Sequence, residues 1–197
     1  MYCACITNLV SERVSTSPCA TLTPVSLTHD CSTSWAESGY KFNTQYKDVV
    51  GLTDFGREVV AEANKLGIIL DLSRAHPRTV QDVLNVTQAP FIFSHSGVFA
   101  LSDYSENIVD EVLQIVKERR SVVMVTFLPP AICQNVRDMH LKVLEGEEIY
   151  DDFLNTYIEQ NKVTPLCTVE DVVKVVEYVN NSIGIDHIGL GAGFDGL

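Results

Sequence analysis

Beyond Gly51 the apolar positions of the chain switch repeatedly between two periods. Phe55, Val59, Ala63 and Leu66 recur at helical spacing, Gly67 stops the run, and Ile68-Ile69-Leu70 follows with no polar face. Strand side chains alternate between faces, so a stretch apolar on both belongs in a parallel sheet covered by helices. The theme then repeats. Pro77 stands where a first helical turn accepts it, because its missing N–H would go unpaired there anyway, and Val80, Val83, Leu84 and Thr87 supply the apolar side. Pro90-Phe91-Ile92-Phe93 is the next strand and runs into Ser94-His95-Ser96-Gly97. Ile108, Val112, Ile115 and Val116 then mark a helix before the strand Ser121–Phe127.

Residues 128–167 are a longer excursion, with Pro129-Pro130 as a breaker and helices predicted around Met139–Leu144 and Tyr150–Tyr157. Thr168 starts another helix. Asp171 supplies its reciprocal capping acid, and Val169, Val172, Val173, Val176 and Val179 read as its packed stripe. Gly184–Gly191 carries the last strand, with Gly189 and Gly191 allowing close backbone approach at its end. Upstream, Val25–Thr28 alternates as a short strand, whereas residues 1–24 mix Cys, Thr, Ser and Pro without periodicity. The expected division is an irregular segment, 1–24, followed by one α/β domain, 25–197.

Helices alternating with five short strands suit a doubly wound sheet or a barrel. Polar residues at successive strand ends (His29; Asp71 and Ser73; Ser94 and His95; Thr126; Asp195) favour the rim of a barrel. The fold predicted is an incomplete TIM-like (β/α)8 barrel, about five parallel strands with flanking helices. Its missing side is expected to be open or covered irregularly by residues 1–24.

Charge narrows the partners. A formal charge of -12, with no Lys/Arg-rich run, would repel a polyphosphate, so nucleic acid is not an expected partner, nor is an anionic membrane surface. No run of 18 apolar residues occurs, so no transmembrane segment is expected, and neither a signal peptide nor an anchor signal is read at either end. The six cysteines, Cys3, Cys5, Cys19, Cys31, Cys133 and Cys167, include no C-x-x-C pair, which favours disulfides in an oxidising compartment over a zinc ribbon. Asn85-Val86-Thr87 and Asn180-Asn181-Ser182 fit the N-glycosylation pattern, and ordinary helix-end polar residues would read the same way.

The histidines His29, His76, His95, His140 and His187 show no H-E-x-x-H or H-x-H spacing. His29 and His95 nevertheless follow strands, where each is either a metal or catalytic residue or a histidine hydrogen-bonded at a strand end. His76, His140 and His187 read as loop or surface residues. Ser94 and Ser96 do not make a nucleophile elbow. Gly189-x-Gly191-x-Gly193 precedes no helix and so cradles no phosphate.

Five blocks in order resemble the zinc-dependent membrane dipeptidases, the renal dipeptidase or dehydropeptidase family. They are LTHDCSTSWA at 27–36, GLTDFGREVVAEANKLGIILDLS at 51–73, TVQDVLNVTQAPFIFSHS at 79–96, NIVDEVLQIVKERRSVVMVTF at 107–127 and IDHIGLGAGFDG at 185–196. The resemblance implies hydrolysis of a dipeptide by water activated at a binuclear zinc centre on a barrel. It also implies disulfide-linked homodimers and an extracellular or lipid-anchored location at the cell surface.

Carried over residue by residue, the resemblance implies that His95 is a zinc ligand and that His29 contacts substrate and the developing oxyanion. Arg74 stands where the family's D-L-[SA]-H segment has the other histidine of that zinc ion, and a guanidinium is no ordinary zinc ligand. Gly193 replaces the first aspartate of the family's G-[SG]-D-F-D-G, leaving Asp195 as the carboxylate of that motif. Glu106 replaces the arginine that holds the dipeptide carboxylate. The family's early H-x-D pair and bridging glutamate find no counterpart in residues 1–24, and the chain reads as truncated at both ends. By the same resemblance Cys31 has its disulfide partner upstream, and the partner position of Cys133 is Ser102. The expectation is a catalytically incomplete dipeptidase-like protein in which His95 is a vestigial or weak metal ligand. Its competitors are a non-catalytic interaction or regulatory protein and a fragment of a longer active enzyme.

Overall fold

The computed structural model describes residues 24–40, 46, 48–144, 159 and 166–193. Contacts divide the chain into two compact units, 1–91 and 92–197. The expected segment 1–24 and the helix expected at Tyr150–Tyr157 lie almost wholly outside the described residues, as does Asp195.

In the N-terminal unit β1 (Pro24–Ser26) pairs in parallel with β2 (Ile69–Asp71), Val25 opposite Leu70 and Ser26 opposite Asp71. Helix α1 (Asp54–Lys65) precedes β2. Thr53 caps it by accepting from the Gly56 amide, Asp54 complements the helix dipole, and Gly67, at φ +71°, lets the chain leave. The expected stripe is displaced here. Gly56, Val60 and Ala63 are buried, whereas Phe55 and Leu66 are each about half exposed. Gly56 sits against the Trp35 carbonyl, a close approach that a side chain would block. Helix α2 (Pro77–Val86) starts at the expected proline and buries Val80, Val83 and Leu84 as expected. Its Asp82 ties the intervening chain down by accepting from the Leu52 amide at 2.8 Å and pairing with Arg57 at 3.0 Å.

In the C-terminal unit β3 (Phe91–Ser96), whose first residue closes the preceding unit, pairs in parallel with β4 (Val122–Val125). β4 pairs in parallel with β5 (Ile188–Leu190). Helix α3 (Asp110–Glu118) buries Leu113 and Val116. The Pro129-Pro130 pair does not break structure but opens a one-turn helix, α4 (Pro129–Ile132), where proline's missing N–H costs nothing, and α5 (Gln134–Leu144) follows. Helix α6 (Val169–Ile183) has the expected capping acid, since Asp171 accepts from the Thr168 amide at 2.9 Å. Its packed face is Val175, Val179 and Ile183, while Val169, 75% exposed, and Val173, 45% exposed, point outward, contrary to expectation.

Five strands, each paired in parallel within its unit and flanked by helices, are thus found among the described residues, as the repeated pattern predicts.

Candidate functional site

The chemistry-bearing residues lie at the C-terminal ends of the strands, and each unit presents its own group. At the end of β2, Asp71 is buried and accepts from the Ser26 hydroxyl at 2.9 Å and the Ser73 amide at 3.0 Å. Three residues on, Arg74 holds a left-handed backbone at φ +62°. Its carbonyl accepts from the Gly39 amide at 2.8 Å and the Thr28 hydroxyl at 3.1 Å. Its guanidinium is ion-paired with Asp30.

His29 lies beside this pair, half exposed, with Nδ1 3.4 Å from Asp30 Oδ2. The N-terminal unit therefore brings His29, Asp30 and Arg74 together, with the carboxylate between the imidazole and the guanidinium. The Arg74 side chain is largely shielded from solvent, and its charge is met by Asp30.

His76 does not stay a bland loop residue. Its Nδ1 caps α2 by accepting from the Arg78 amide at 3.2 Å and lies 3.4 Å from Glu37 Oε2. Burial holds its pKa below the ordinary value of 6.5, with Glu37 opposing the shift and Arg78 adding to it. Burial lowers His140 likewise.

In the C-terminal unit the pairing of β3 with β4 slips between Phe93 and Ser96, so Ser94 and His95 sit at a β-bulge. A bulge bends the strand and re-aims its side chains, a frequent device beside active sites. His95 is half-buried, and its Nδ1 lies 2.7 Å from the Ser94 hydroxyl. Ser96 is 3% exposed, and its hydroxyl has no hydrogen-bond partner among the described residues. Gly191 lies so near the Ser94 carbonyl that no side chain fits, the close approach expected of these glycines. Gly193 adopts φ +85° beside Thr126, a backbone state that L side chains rarely adopt.

Behind this rim Asn107 acts as a hub. Its Oδ1 accepts from the Gly97 amide at 3.0 Å, and its Nδ2 donates to the carbonyls of Ser102 at 2.9 Å and Ala131 at 2.7 Å. The adjoining Glu106 is half-buried. Nothing in the sequence singles out Asn107, because an amide side chain carries no local signature of the carbonyls it will gather.

Cys133 is bonded to Cys167, with Cα atoms 6.0 Å apart, so Cys133 does have a partner within the chain. Ser102, the position expected to hold that partner, instead donates its hydroxyl to the Pro130 carbonyl at 2.8 Å. Cys31 is unpaired among the described residues.

Comparison with known proteins places this architecture. The family described as membrane dipeptidase (Peptidase family M19) matches residues 21–197, and the chain belongs to that family. Dipeptidase 3 of Homo sapiens is 35% identical over 173 residues, covering 87% of this chain and 30% of that protein. Dipeptidase aclJ of Aspergillus oryzae is 33% identical over 173 residues, covering 87% of this chain and 34% of its own length. The chain thus spans about a third of the curated relatives it matches.

Two solved structures share the fold. A metallo peptidase from Rhodobacter sphaeroides, liganded with a phosphinate mimic of the dipeptide L-Ala-D-Ala, superposes at TM-score 0.66 with 23% identity. The match covers 88% of this chain and 43% of that one. The probable dipeptidase PvdM of Pseudomonas aeruginosa superposes at TM-score 0.67 with 20% identity, covering 85% and 50% respectively. Among the described residues no helix is long and apolar enough to cross a membrane.

Proposed function

We propose that this chain is a dipeptidase-family protein that does not itself hydrolyse dipeptides. The family is one of metallopeptidases, and the metal implied by the resemblance is zinc, held as a pair. Such a centre needs histidine and carboxylate donors around each ion. The observation that carries the reading is the Arg74–Asp30 pair: a permanent cation occupies the strand-end position that would hold a histidine, and a neighbouring carboxylate neutralises it.

Two further features support the reading. Gly193 carries no carboxylate where the resemblance expects one. Glu106 would repel a substrate carboxylate rather than clamp it. These residues do not fit a binuclear zinc centre, so no catalytic step is routed through one here.

The remaining role is that of a dipeptidase-like surface for interaction or regulation, with homodimerisation as the resemblance implies. An extracellular or surface-anchored location is consistent with a disulfide between Cys133 and Cys167.

The competing reading is a portion of a longer active enzyme, motivated by the span of about a third of the curated relatives. Elemental analysis of the purified, folded chain and a dipeptide hydrolysis assay with zinc supplied decide the matter. No retained zinc pair and no turnover are expected. Two zinc ions per chain, with turnover abolished by His95→Ala, would overturn the proposal. Activity appearing only in a longer form of the chain would favour the competitor.

A further inference from the structure

We propose that Cys133, Cys167 and Asp171 form a redox-gated site for one thiophilic divalent cation such as zinc, separate from the strand-end rim. The sulfur atoms of both cysteines and a carboxylate oxygen of Asp171 all lie within 4.8 Å of one another. Cys133 follows α4, Cys167 immediately precedes the cap of α6, and Asp171 is in the first turn of α6. Three ligands from two backbone segments, each fixed by a helix end, are what a preorganised site requires.

In the oxidised chain the sulfurs are bonded to each other and present no thiolate. A thiol or phosphine reductant gives up two electrons, each sulfur gains one electron and one proton, and the S–S bond opens. The cation then displaces both thiol protons to solvent and bonds to both sulfurs.

The geometry permits this without moving the backbone. Around tetrahedral zinc, with Zn–S bonds of about 2.3 Å, two sulfurs stand roughly 3.8 Å apart. The Cα separation of 6.0 Å suits a disulfide and leaves side-chain rotation to reach the wider spacing. Asp171 completes the set from one side, and a water molecule would fill the fourth position.

Charge favours the occupied state. Three anionic ligands around a dication leave a net charge of about -1. That charge sits at the N-terminus of α6, whose dipole favours negative charge, beside Lys174, whose ammonium already lies 2.6 Å from Asp171 Oδ1. Thr168 holds the carboxylate from the other side, its amide 2.9 Å from Oδ2, so Asp171 is oriented before any ion arrives. Cys133 is buried and Cys167 is partly accessible, so a reductant attacks at Cys167, the side from which the ion and its water would also enter. The disulfide closes the site in oxidising surroundings and reduction opens it.

The test uses the full chain with Cys3, Cys5, Cys19 and Cys31 changed to serine, so that only this pair of thiols remains. The protein is reduced with a water-soluble phosphine, desalted anaerobically and titrated with cobalt(II), followed by zinc. The expected result is one cobalt per chain with a near-ultraviolet thiolate-to-cobalt charge-transfer band, discharged by one equivalent of zinc and absent from the oxidised protein. Asp171→Asn, which keeps an oxygen to cap the helix, is expected to weaken binding at least tenfold, and Cys167→Ser to abolish the band.

If the four-serine variant does not fold, the same titration on the native chain, with and without Cys167→Ser, reads the loss of one cobalt site. Absence of the band in the reduced, folded protein overturns the proposal. So does a band indifferent to both substitutions.

Discussion

Arg74 is ion-paired with Asp30, 44 positions earlier in the chain, while its backbone holds φ +62° and its carbonyl accepts from the Gly39 amide at 2.8 Å. The residue thus does two separable things, placing a charge and making a turn. The ion pair is half exposed at Asp30 and contributes roughly 0–1 kcal/mol. The left-handed conformation costs a non-glycine residue about 1 kcal/mol. Arg74→Gly should therefore be more stable than Arg74→Ala by about 0.5–1 kcal/mol, since only glycine relieves the strain as the pair is lost. Urea denaturation of the two variants measures this. Equal midpoints would mean that the turn relaxes in solution.

Asn107 is buried among the carbonyls of Ser102 and Ala131 and the amide of Gly97. Removing its side chain leaves those groups without partners in a dry environment, so Asn107→Ala should cost about 2–4 kcal/mol. Asn107→Asp keeps the acceptor for Gly97 but turns a donor into an anion facing two carbonyls, and should cost at least as much. Thermal unfolding of both variants checks the order. A milder effect for Asp than for Ala would show that the Gly97 contact alone holds the loop.

Stability should fall as pH drops below neutrality. Burial lowers the pKa of His76 and of His140 in the folded chain, so the unfolded chain binds protons more readily at both. Their contribution is fully present above about 6.5, the ordinary histidine value, and is lost as pH falls through the lower folded values. Protonating Nδ1 of His76 also removes the acceptor for the Arg78 amide, although the nearby Glu37 softens the loss. His76→Asn retains a capping oxygen that does not titrate. Its denaturation midpoint should change less between pH 7 and pH 5, roughly the window of histidine titration, than that of the native chain. Parallel curves would remove His76 as a contributor.

How much of this was legible in the residues depends on whether the signal is local. The strand ends, the start of α2 at Pro77 and the capping acid of α6 were readable because a few neighbouring residues determine them. The packed face of α6 was not. Valine recurs at so many of its positions that more than one stripe satisfies helical spacing, and tertiary contacts select Val175, Val179 and Ile183. In α1, Phe55 fits the period yet lies at the margin, meeting Trp35 edge-on with ring centroids 6.5 Å apart. At the rim, the arginine at position 74 could be read directly. Its pairing with Asp30 could not, because an ion pair spanning 44 positions has no local signature. Disulfide connectivity has the same non-local character, so the pairing of Cys133 with Cys167 has no signal in the sequence.

The Ser102–Cys133 position yields the last prediction. Residues around Ser102 are joined to α4 and α5 by polar contacts: the Ser102 hydroxyl to the Pro130 carbonyl at 2.8 Å, the Asp103 amide to Gln134 Oε1 at 2.9 Å, and Arg137 Nε to Asp103 Oδ1 at 2.7 Å. No covalent link is needed at this junction, and Cys133 is left to close a different loop, of sequence separation 34, with Cys167. The two tethers act on different states. A cross-link over that span mainly restricts the unfolded chain, so Cys133→Ala/Cys167→Ala should cost about 2–4 kcal/mol. Ser102→Ala removes a buried hydrogen bond and leaves the Pro130 carbonyl unsatisfied, at about 1–2 kcal/mol. Because the tethers share α4, the triple variant should lose more than the sum if each compensates for the other, and the simple sum if they are independent. The separate hydrogen-bond partners favour additivity within about 0.5 kcal/mol. Denaturation of the native chain and the three variants under non-reducing conditions measures the coupling. A double-cysteine variant as stable as the native chain would show that the disulfide does not form in solution.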